Sequence, residues 1–488
     1  MLNPNMFPQI AGGASITGQL GLDAVEELNK ALTAGYGTDV STFTGGAALR
    51  IQSLDKTMYS TIQENEHFRL FNALVKSNAT ATVDEWTEQN SVGGRLGGST
   101  NSELGVVNAA QGNYARRVGQ VKYLMTRREV SFVATLGNNI VEAEAVEASN
   151  GALQLLTDAE FLGFEGDSTV VPTEFDGIYA QQVSGIASGA IDGHHVLDAK
   201  GSSLASVNLI NQAASIISGY GNFGKPTHLF LSQATQADFD TGLDPAFRVP
   251  LPDVPNGGIS LGAPVAGIRT SWGNIKNMPD VFVRDQDQLQ PYQLINSADA
   301  TANAGLAPAS VTVATASNVS SNFAASQAGN YYWLVTGVNA SGESTGTITA
   351  QTAVAAGQAA TLTITASAGG LETGYAIYRG RLNGTNAPSD FRLQARVGKA
   401  GATTTYVDLN NDIPGTSKAY ILNLAPSAGA ITWRQLLPMM KFQFYPTQTV
   451  TVPWAQLLFG YLRLAKRRHH VVIKNILPAS ATWRPFNV

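Results

Sequence analysis

The sequence predicts an α+β fold interrupted by an all-β sandwich. Three observations lead there. From Asn138 a long stripe of small and apolar residues repeats at helical spacing. At about residue 300 the composition shifts to Ala, Thr, Ser, Gly and Val, with short alternating strands between turn clusters. After about Lys418, longer apolar helix and strand mixtures return, so the β-rich stretch interrupts the α+β part rather than ending it. A chain of 488 residues holds roughly two to four domains at about 150 residues each.

The segments read in order as follows. Residues 23–34, "DAVEELNKALTA", and 56–76 read as helices, the second with Met58, Ile62, Phe68, Phe71 and Val75 along one side. Between 81 and 117 the texture is Gly, Ser and Asn with little apolar periodicity, which reads as a long extended arm or loop; a loop of that length is generally functional or disordered. The stripe Val141, Ala145, Ala148, Ala152, Leu155, Leu156, Ala159 and Leu162, with Glu147, Gln154 and Asp158 opposite, predicts the longest helix of the chain. A second helix over 204–218 carries Val207, Ile210, Ala214 and Ile217 on one face, and "THLFLS", "GIRTSWGNI" and "DVFVRD" read as strands.

Six strand candidates follow in the inserted part: "SVTVAT", "YYWLVTGV", "ATLTITA", "GYAIYRG", "FRLQARV" and "TTYVDL", separated by turns such as "NASGES" and "RLNGTN". Side chains alternate along a strand, so Tyr331, Trp333 and Val335 are expected in the sandwich core with Tyr375 and Ile377. Tyr332 and Leu334 then point to the other face, toward a neighbour or the surrounding domain. Polar linkers near Ala307 and Ser417 suggest that the sandwich folds by itself.

Composition excludes several function classes. There is no cysteine, hence no disulfide framework, thiolate nucleophile or Cys-based zinc site. No Lys or Arg precedes Lys30 and no apolar run approaches the length of a membrane span, so neither a secretory signal nor a membrane segment is expected, and the chain reads as soluble and cytoplasmic. Charged residues are 14%, against about 25% in an average globular protein. This reads either as an ordinary neutral surface or, since interface cores are depleted in charge, as a surface much of which becomes interface. A formal net charge of -5 argues against a dedicated nucleic-acid binder and leaves only loose contact with DNA.

Motifs that suggest chemistry fail in context. "GYGNFGK", Gly219 to Lys225, follows a helix and precedes a strand, the reverse of a phosphate-binding loop, and Pro226 stands where a Mg²⁺-binding hydroxyl would be. His194 and His195 are adjacent, which on a strand sends the rings to opposite faces. Neither an H-E-x-x-H nor a G-x-S-x-G pattern occurs, so no enzyme and no cofactor or metal is expected. Two basic clusters remain. "RLAKRRHH" contains Arg467 and Arg468 and reads either as contact with an anionic polymer or acidic subunit, or as a solvated strand edge. Arg116, Arg117, Lys122, Arg127 and Arg128 form the second cluster, with Glu142, Glu144 and Glu147 as acidic partners across subunit contacts.

The order of these segments, with "WAQLLFGYLRLAKRRHHVVIKN", "ITWRQLLPMMKF", "EFDGIYAQ" and "KPTHLFLSQAT", resembles the major capsid proteins of tailed double-stranded DNA bacteriophages with the Hong Kong 97 phage-type fold. The inserted part resembles immunoglobulin-like or fibronectin type III sandwiches through "YYWLVTGVNASGES" and "GYAIYRG". The resemblance implies an N-terminal arm and leading helices over 1–80, an E-loop with flanking strands over 81–130 and a P-domain spine helix over 131–174. It further implies an A-domain over 175–304, the insertion over 305–418, and a return to the A- and P-domains over 419–488. It implies self-assembly as hexamers and pentamers into an icosahedral shell around DNA, with portal and decoration proteins as further partners. A scaffold-like leader that some relatives lose to a protease is expected to be missing. The E-loop, Thr82 to Arg117, holds Arg95, Arg116 and Arg117 but no Lys, so the Lys–Asn crosslink of some relatives is not expected. The alternatives are an encapsulin-like cargo compartment, or a carbohydrate-binding or adhesive module built on the sandwich.

Overall fold

The computed structural model describes residues 62–107, 109–136, 142–242, 265–446 and 449–486. The helix expected over 23–34, the first part of that over 56–76 and most of the N-terminal arm lie outside them. The described part of 56–76 is not one helix: a short α1 (Arg69–Ala73) ends at Leu74, and Val75 opens a strand, β1 (Val75–Asn78). Of its four residues only Val75 is a strong strand former, so pairing with the neighbouring strand at Thr432–Gln435 rather than propensity makes this segment extended.

Next comes a hairpin, β2 (Val83–Ser91) and β3 (Asn113–Gln120), followed by β4 (Lys122–Ser131), α2 (Phe132–Leu136) and the long α3 (Ala143–Glu165). The stretch read as a loop without periodicity is thus strand at both ends. Its alternation is of polar residues, which carries no hydrophobic signal. Along α3 the buried positions are Gly151, Leu155, Ala159, Glu160, Gly163 and Phe164. Small residues let the helix lie close on a four-stranded sheet whose order is β1, β20 (Ile431–Gln443), β21 (Thr451–Leu464), β4. At Gly151 a β-carbon would collide with Gln456 of that sheet.

A second, six-stranded sheet lies beyond α4 (Ile178–Ala187). Its strands in chain order are β5 (Val196–Asp198), β6 (His228–Leu231), β7 (Gly267–Thr270), β8 (Gly273–Pro279), β19 (Ser417–Leu422) and β22 (Val471–Ile476). They are ordered β5, β22, β19, β6, β8, β7. Helix α5 (Asn208–Ser218) buries Ile210, Ala213, Ala214 and Ile217 against it, and α6 (Gln233–Gly242) follows β6. Two expectations fail here. "DVFVRD" is a turn, because Asp280 caps it by accepting from the Phe282 N–H at 2.8 Å. After Lys418 the chain is strand with 3₁₀ turns and no α-helix among the described residues.

The interrupting segment forms two sheets over one core. On one side β9 (Ser310–Ser317), β15 (Gln358–Thr365) and β18 (Thr403–Asp408) are ordered β18, β15, β9. On the other, β11 (Trp333–Asn339) pairs with β16 (Gly374–Gly380), which pairs with β17 (Phe391–Gly398); β12 (Gly342–Glu343) and β13 (Thr347–Ile348) edge β11. A small ribbon joins β10 (Gly329–Tyr331) to β14 (Thr352–Val354). Tyr331, Trp333, Val335, Tyr375 and Ile377 are all buried in the shared core, as their alternation predicts.

The second face of β11 and β16 is covered as well. Leu334, Val338, Ala376 and Tyr378 pack on Val170 and Val171, just after α3, with Tyr332 partly buried beside them. This explains why every residue of "GYAIYRG" is buried, whereas β9 alternates exposed and half-buried positions. A strand covered on both faces reads as a continuous run. Further ties reach the sandwich from the body: Arg396 to Glu174 at 3.3 Å, Leu393 N to Leu289 O at 2.8 Å and Gly346 N to Gln293 Oε1 at 2.8 Å. The sandwich is therefore joined to the body by packing and hydrogen bonds as well as by its two chain crossings.

Two acids on α3, the buried Glu160 and the partly buried Glu165, organise these contacts. Glu160 accepts the Leu70 and Phe71 N–H groups at 2.6 and 2.7 Å, supplying the acceptors that the first turn of α1 lacks. Burial, with the Asp280 carboxyl beside it, pushes Glu160 well above its usual 4.5 despite those donors. Glu165 accepts both Lys418 contacts at 2.7 Å and the Tyr420 hydroxyl at 2.9 Å, tying α3 to β19. Folding holds Glu160 protonated, so it contributes a loss of stability that begins as pH rises above 4.5 and grows toward the folded value; below 4.5 it contributes no pH dependence. Urea unfolding at several pH values should show Glu160→Gln flattening that slope. Glu160→Ala, which strands two buried N–H groups, should cost about 2 kcal/mol.

Candidate assembly surface

The hairpin β2–β3 has almost no core of its own, and an isolated two-stranded hairpin is marginal in water. Cross-strand ion pairs run along it: Arg116 with Glu85, and Arg117 with Glu88 at 3.0 Å. An exposed pair such as Arg116–Glu85 contributes about 0.2–1 kcal/mol, and with the single part-buried pair Arg117–Glu88 beside it this does not hold an arm in place. Its anchor is at the base. Asp84 takes a two-pronged contact from Arg434, Nε at 2.8 Å and Nη2 at 3.0 Å, and the Tyr461 hydroxyl donates to it at 2.6 Å. Arg463 stands 3.6 Å away and lies over the Trp86 ring. Burial alone would raise the Asp84 pKa, but hydrogen bonds from Arg434 and Tyr461, with the charges of Arg434 and Arg463, hold it below the usual carboxylate value. Gly119 opposite leaves the space that the Tyr461 ring fills.

Beyond this anchor the arm ends in a loop with an apolar tip. Leu104 is 97% exposed, Val106 87% and Val107 85%, with Val92 and Leu96 nearly as open. A second apolar area lies on the four-stranded sheet, on the face away from α3. Tyr123, Met125, Met440 and Phe442 are exposed there, with Leu457 and Phe459 half-buried between them. Register aligns them in rows, Met125 beside Leu457 beside Met440, and Tyr123 beside Phe459, whose rings meet edge-on at 4.9 Å. Phe442 and Phe444 pack edge-on at 5.5 Å farther along the strand. Contiguous exposed apolar surface of this kind marks an interaction site.

The charged residues singled out in the sequence are mostly engaged within the chain. Arg128 reaches Glu147 at 3.2 Å and Gln154 at 2.6 Å, Glu144 binds Lys441 at 2.5 Å, and Arg127 pairs with Glu129 at 2.8 Å. Lys122 donates to the Pro172 carbonyl at 2.6 Å. Arg95 is exposed near the loop tip, and Glu142 is exposed where α3 begins. Arg467 and Arg468 are neither a solvated strand edge nor a free basic patch: both are half-buried at a 3₁₀ turn, and Arg468 donates to the carbonyls of Ala190, Asn90 and Gly221. His470 is fully buried and burial pulls it down to about 3, so it packs as a neutral ring. His195 sits in a 3₁₀ turn rather than on a strand, its Nδ1 2.9 Å from the His470 carbonyl. "GYGNFGK" is the expected helix-to-strand turn between α5 and β6.

Sequence reasoning missed Asp84, Arg434, Tyr461, Arg463 and the apolar tip. One signal was available: Tyr461 and Arg463 share a strand face, as alternation requires. Five large apolar residues in a Gly- and Ser-rich loop were the other. Asp84→Asn should release the base of the arm, costing about 2 kcal/mol and raising hydrogen exchange across β2 and β3. The Asp84 contribution is complete above its usual 3.8 and is lost as pH falls below 3.8 through the folded value, so the wild type should approach the variant in acid.

No family model matches the chain. Among curated proteins it is 26% identical over 485 residues to the putative major capsid protein of Enterococcus phage phiEF24C, covering 95% of this chain and 97% of that one. It is 24% identical over 464 residues to the major capsid proteins of Staphylococcus phages S25-3 and K, covering 92% of this chain and 95% of each of those. Among solved structures, the capsid of a native GTA particle computed with C5 symmetry aligns at TM-score 0.47 and 10% identity, over 90% of this chain and 100% of that one. The holo-SrpI encapsulin complex from Synechococcus elongatus PCC 7942 aligns at 0.44 and 7%, over 90% and 97%. Mycobacterium phage Adephagia aligns at 0.42 and 9%, over 90% and 99%. Along nearly its whole length, the chain is similar in sequence to major capsid proteins of phages.

Proposed function

We propose that the chain is a major capsid protein that assembles into the closed shell of a tailed phage, as hexamers and pentamers around double-stranded DNA. The observation that carries this reading is the pair of apolar surfaces left open: the tip of a long anchored arm, and a sheet face whose other side is packed on α3. Burying apolar area contributes about 25 cal/mol per Å², so many weak copies of one contact close a shell without covalent links. In this reading the Hong Kong 97 phage-type fold has its E-loop in β2–β3, its spine in α3 and its A-domain around the six-stranded sheet. The stretch 305–418 is an immunoglobulin-like insertion on the shell. Arg95, Glu142 and the rim pair Arg127–Glu129 face neighbouring subunits, portal and decoration proteins are further partners, and contact with DNA is loose.

Negative-stain microscopy of the purified chain should find closed shells. Nucleic acid inside them fits this reading, whereas a packaged protein cargo points to a compartment of the encapsulin kind. Replacing Leu104, Val106 and Val107 with Ser should leave the subunit folded by circular dichroism while reducing assembly at least tenfold; equal assembly would remove the tip from the contact. Particles boiled in detergent should release monomers near 51.4 kDa, because the arm has no Lys for an isopeptide bond and the chain has no Cys. A ladder of covalent oligomers would contradict this.

A further inference from the structure

Residues 477–486 leave the six-stranded sheet after β22 and cross to the sandwich. Leu477 N donates to Ser202 O at 3.2 Å, still on the sheet side. Farther on, Gln286 brackets the backbone of Trp483: its Oε1 accepts the Trp483 N–H at 3.2 Å and its Nε2 donates to the Trp483 carbonyl at 2.6 Å. The Trp483 indole is buried, donates to Asp390 O at 3.0 Å and lies under the Arg392 guanidinium at 5.2 Å. Pro485 O then accepts the Leu382 N–H at 2.8 Å, and Phe486 packs on the sandwich core.

Phe486 arrives at a costly place. Arg379 on β16 is fully buried, with Nη1 2.8 Å from Asp408 Oδ2 and Nη2 2.7 Å from Asn410 Oδ1. Its guanidinium is surrounded by aromatic rings: Phe323 at 5.2 Å, Tyr331 at 5.3 Å and Phe486 at 5.9 Å. Withdrawing an ion pair from water is expensive, and its attraction and the cation–π contacts gain most where water is excluded. Two walls of this cage belong to the sandwich. The third is supplied from more than 70 residues beyond Asp408, by a segment anchored on the six-stranded sheet.

We propose that 477–486 is a strap that locks the sandwich to the body by closing the third wall of the Arg379 cage. The sandwich, contiguous in sequence, then depends on a distant segment for its closed state. Trp483 fixes the strap on β17, and Phe486 excludes water from the ion pair. Opening the strap leaves the sandwich attached through its two chain crossings, the packing on Val170 and Val171, and the ties of Arg396 to Glu174, Leu393 to Leu289 and Gly346 to Gln293, free to loosen without unfolding the body.

The test is hydrogen exchange on the full-length chain, comparing the wild type with Trp483→Ala/Phe486→Ala. Exchange in β16 and β17 should rise about tenfold or more, while β20 and β21 stay unchanged, because local opening raises exchange only in the unit that opens. A rise below about threefold in β16, or an equal rise in β20 and β21, overturns the proposal. If the double variant does not accumulate as folded protein, Phe486→Leu, which keeps apolar bulk without the ring, is judged by the same comparison.

Discussion

The structure depends on where α3 places its carboxylates. A helix that crosses a sheet on small residues brings its own backbone close to its neighbours, and the carboxyl groups it carries into that contact have to find hydrogen-bond partners at once. Glu160 finds the open end of α1, and Glu165 finds Lys418 and Tyr420 on the strand that returns after the sandwich. One helix thereby fixes the entry of the chain into the four-stranded sheet and its re-entry into the six-stranded sheet. The carbonyl of Glu165 also lies 3.4 Å from Arg396 of the sandwich, so three layers converge at the end of α3.

That convergence explains why the sandwich is not an appendage. Its β11–β16–β17 sheet is apolar on both faces because both are covered, one by its partner sheet and one by the turn after α3. The opposite sheet is covered once, and its outward positions are mostly Ser, Thr and Ala, with Val407 among them: Ser310, Thr312 and Ala314 on β9, Thr403, Thr405 and Val407 on β18. Burial is thus concentrated toward the body, and the uncharged small-residue face is directed away from it.

The arm obeys the reverse logic. It is joined to the body by a compact set of charge-assisted hydrogen bonds at Asp84 and by Arg468 at the Asn90 carbonyl, and carries its apolar residues outward, where a monomer gains nothing from them. A low overall charge content is consistent with a surface made to be covered.

Periodicity made much of this legible. The long helix, α5 and the six sandwich strands read from the sequence are legible as elements in helical spacing, alternation or continuous apolar runs, but of the described residues in the stripe expected along α3 only Leu155 and Ala159 are buried, and the stretch read as strand from Gly267 is broken by a turn into β7 and β8. The core assignment of Tyr331, Trp333, Val335, Tyr375 and Ile377 follows from alternation. Polar strands such as β2 and β3 carry no such pattern and are strands only because each pairs with the other. The charge partners were decided by tertiary structure as well: Arg128 and Glu147, like Lys441 and Glu144, appear in the sequence as loose charges open to any neighbour, and only the crossing of α3 over its sheet brings them together. Asp84 and Arg434 are 350 positions apart, and Phe486 and Arg379 come from different layers. Local sequence determines which face a residue shows; which distant residue meets that face is decided by how the chain closes on itself.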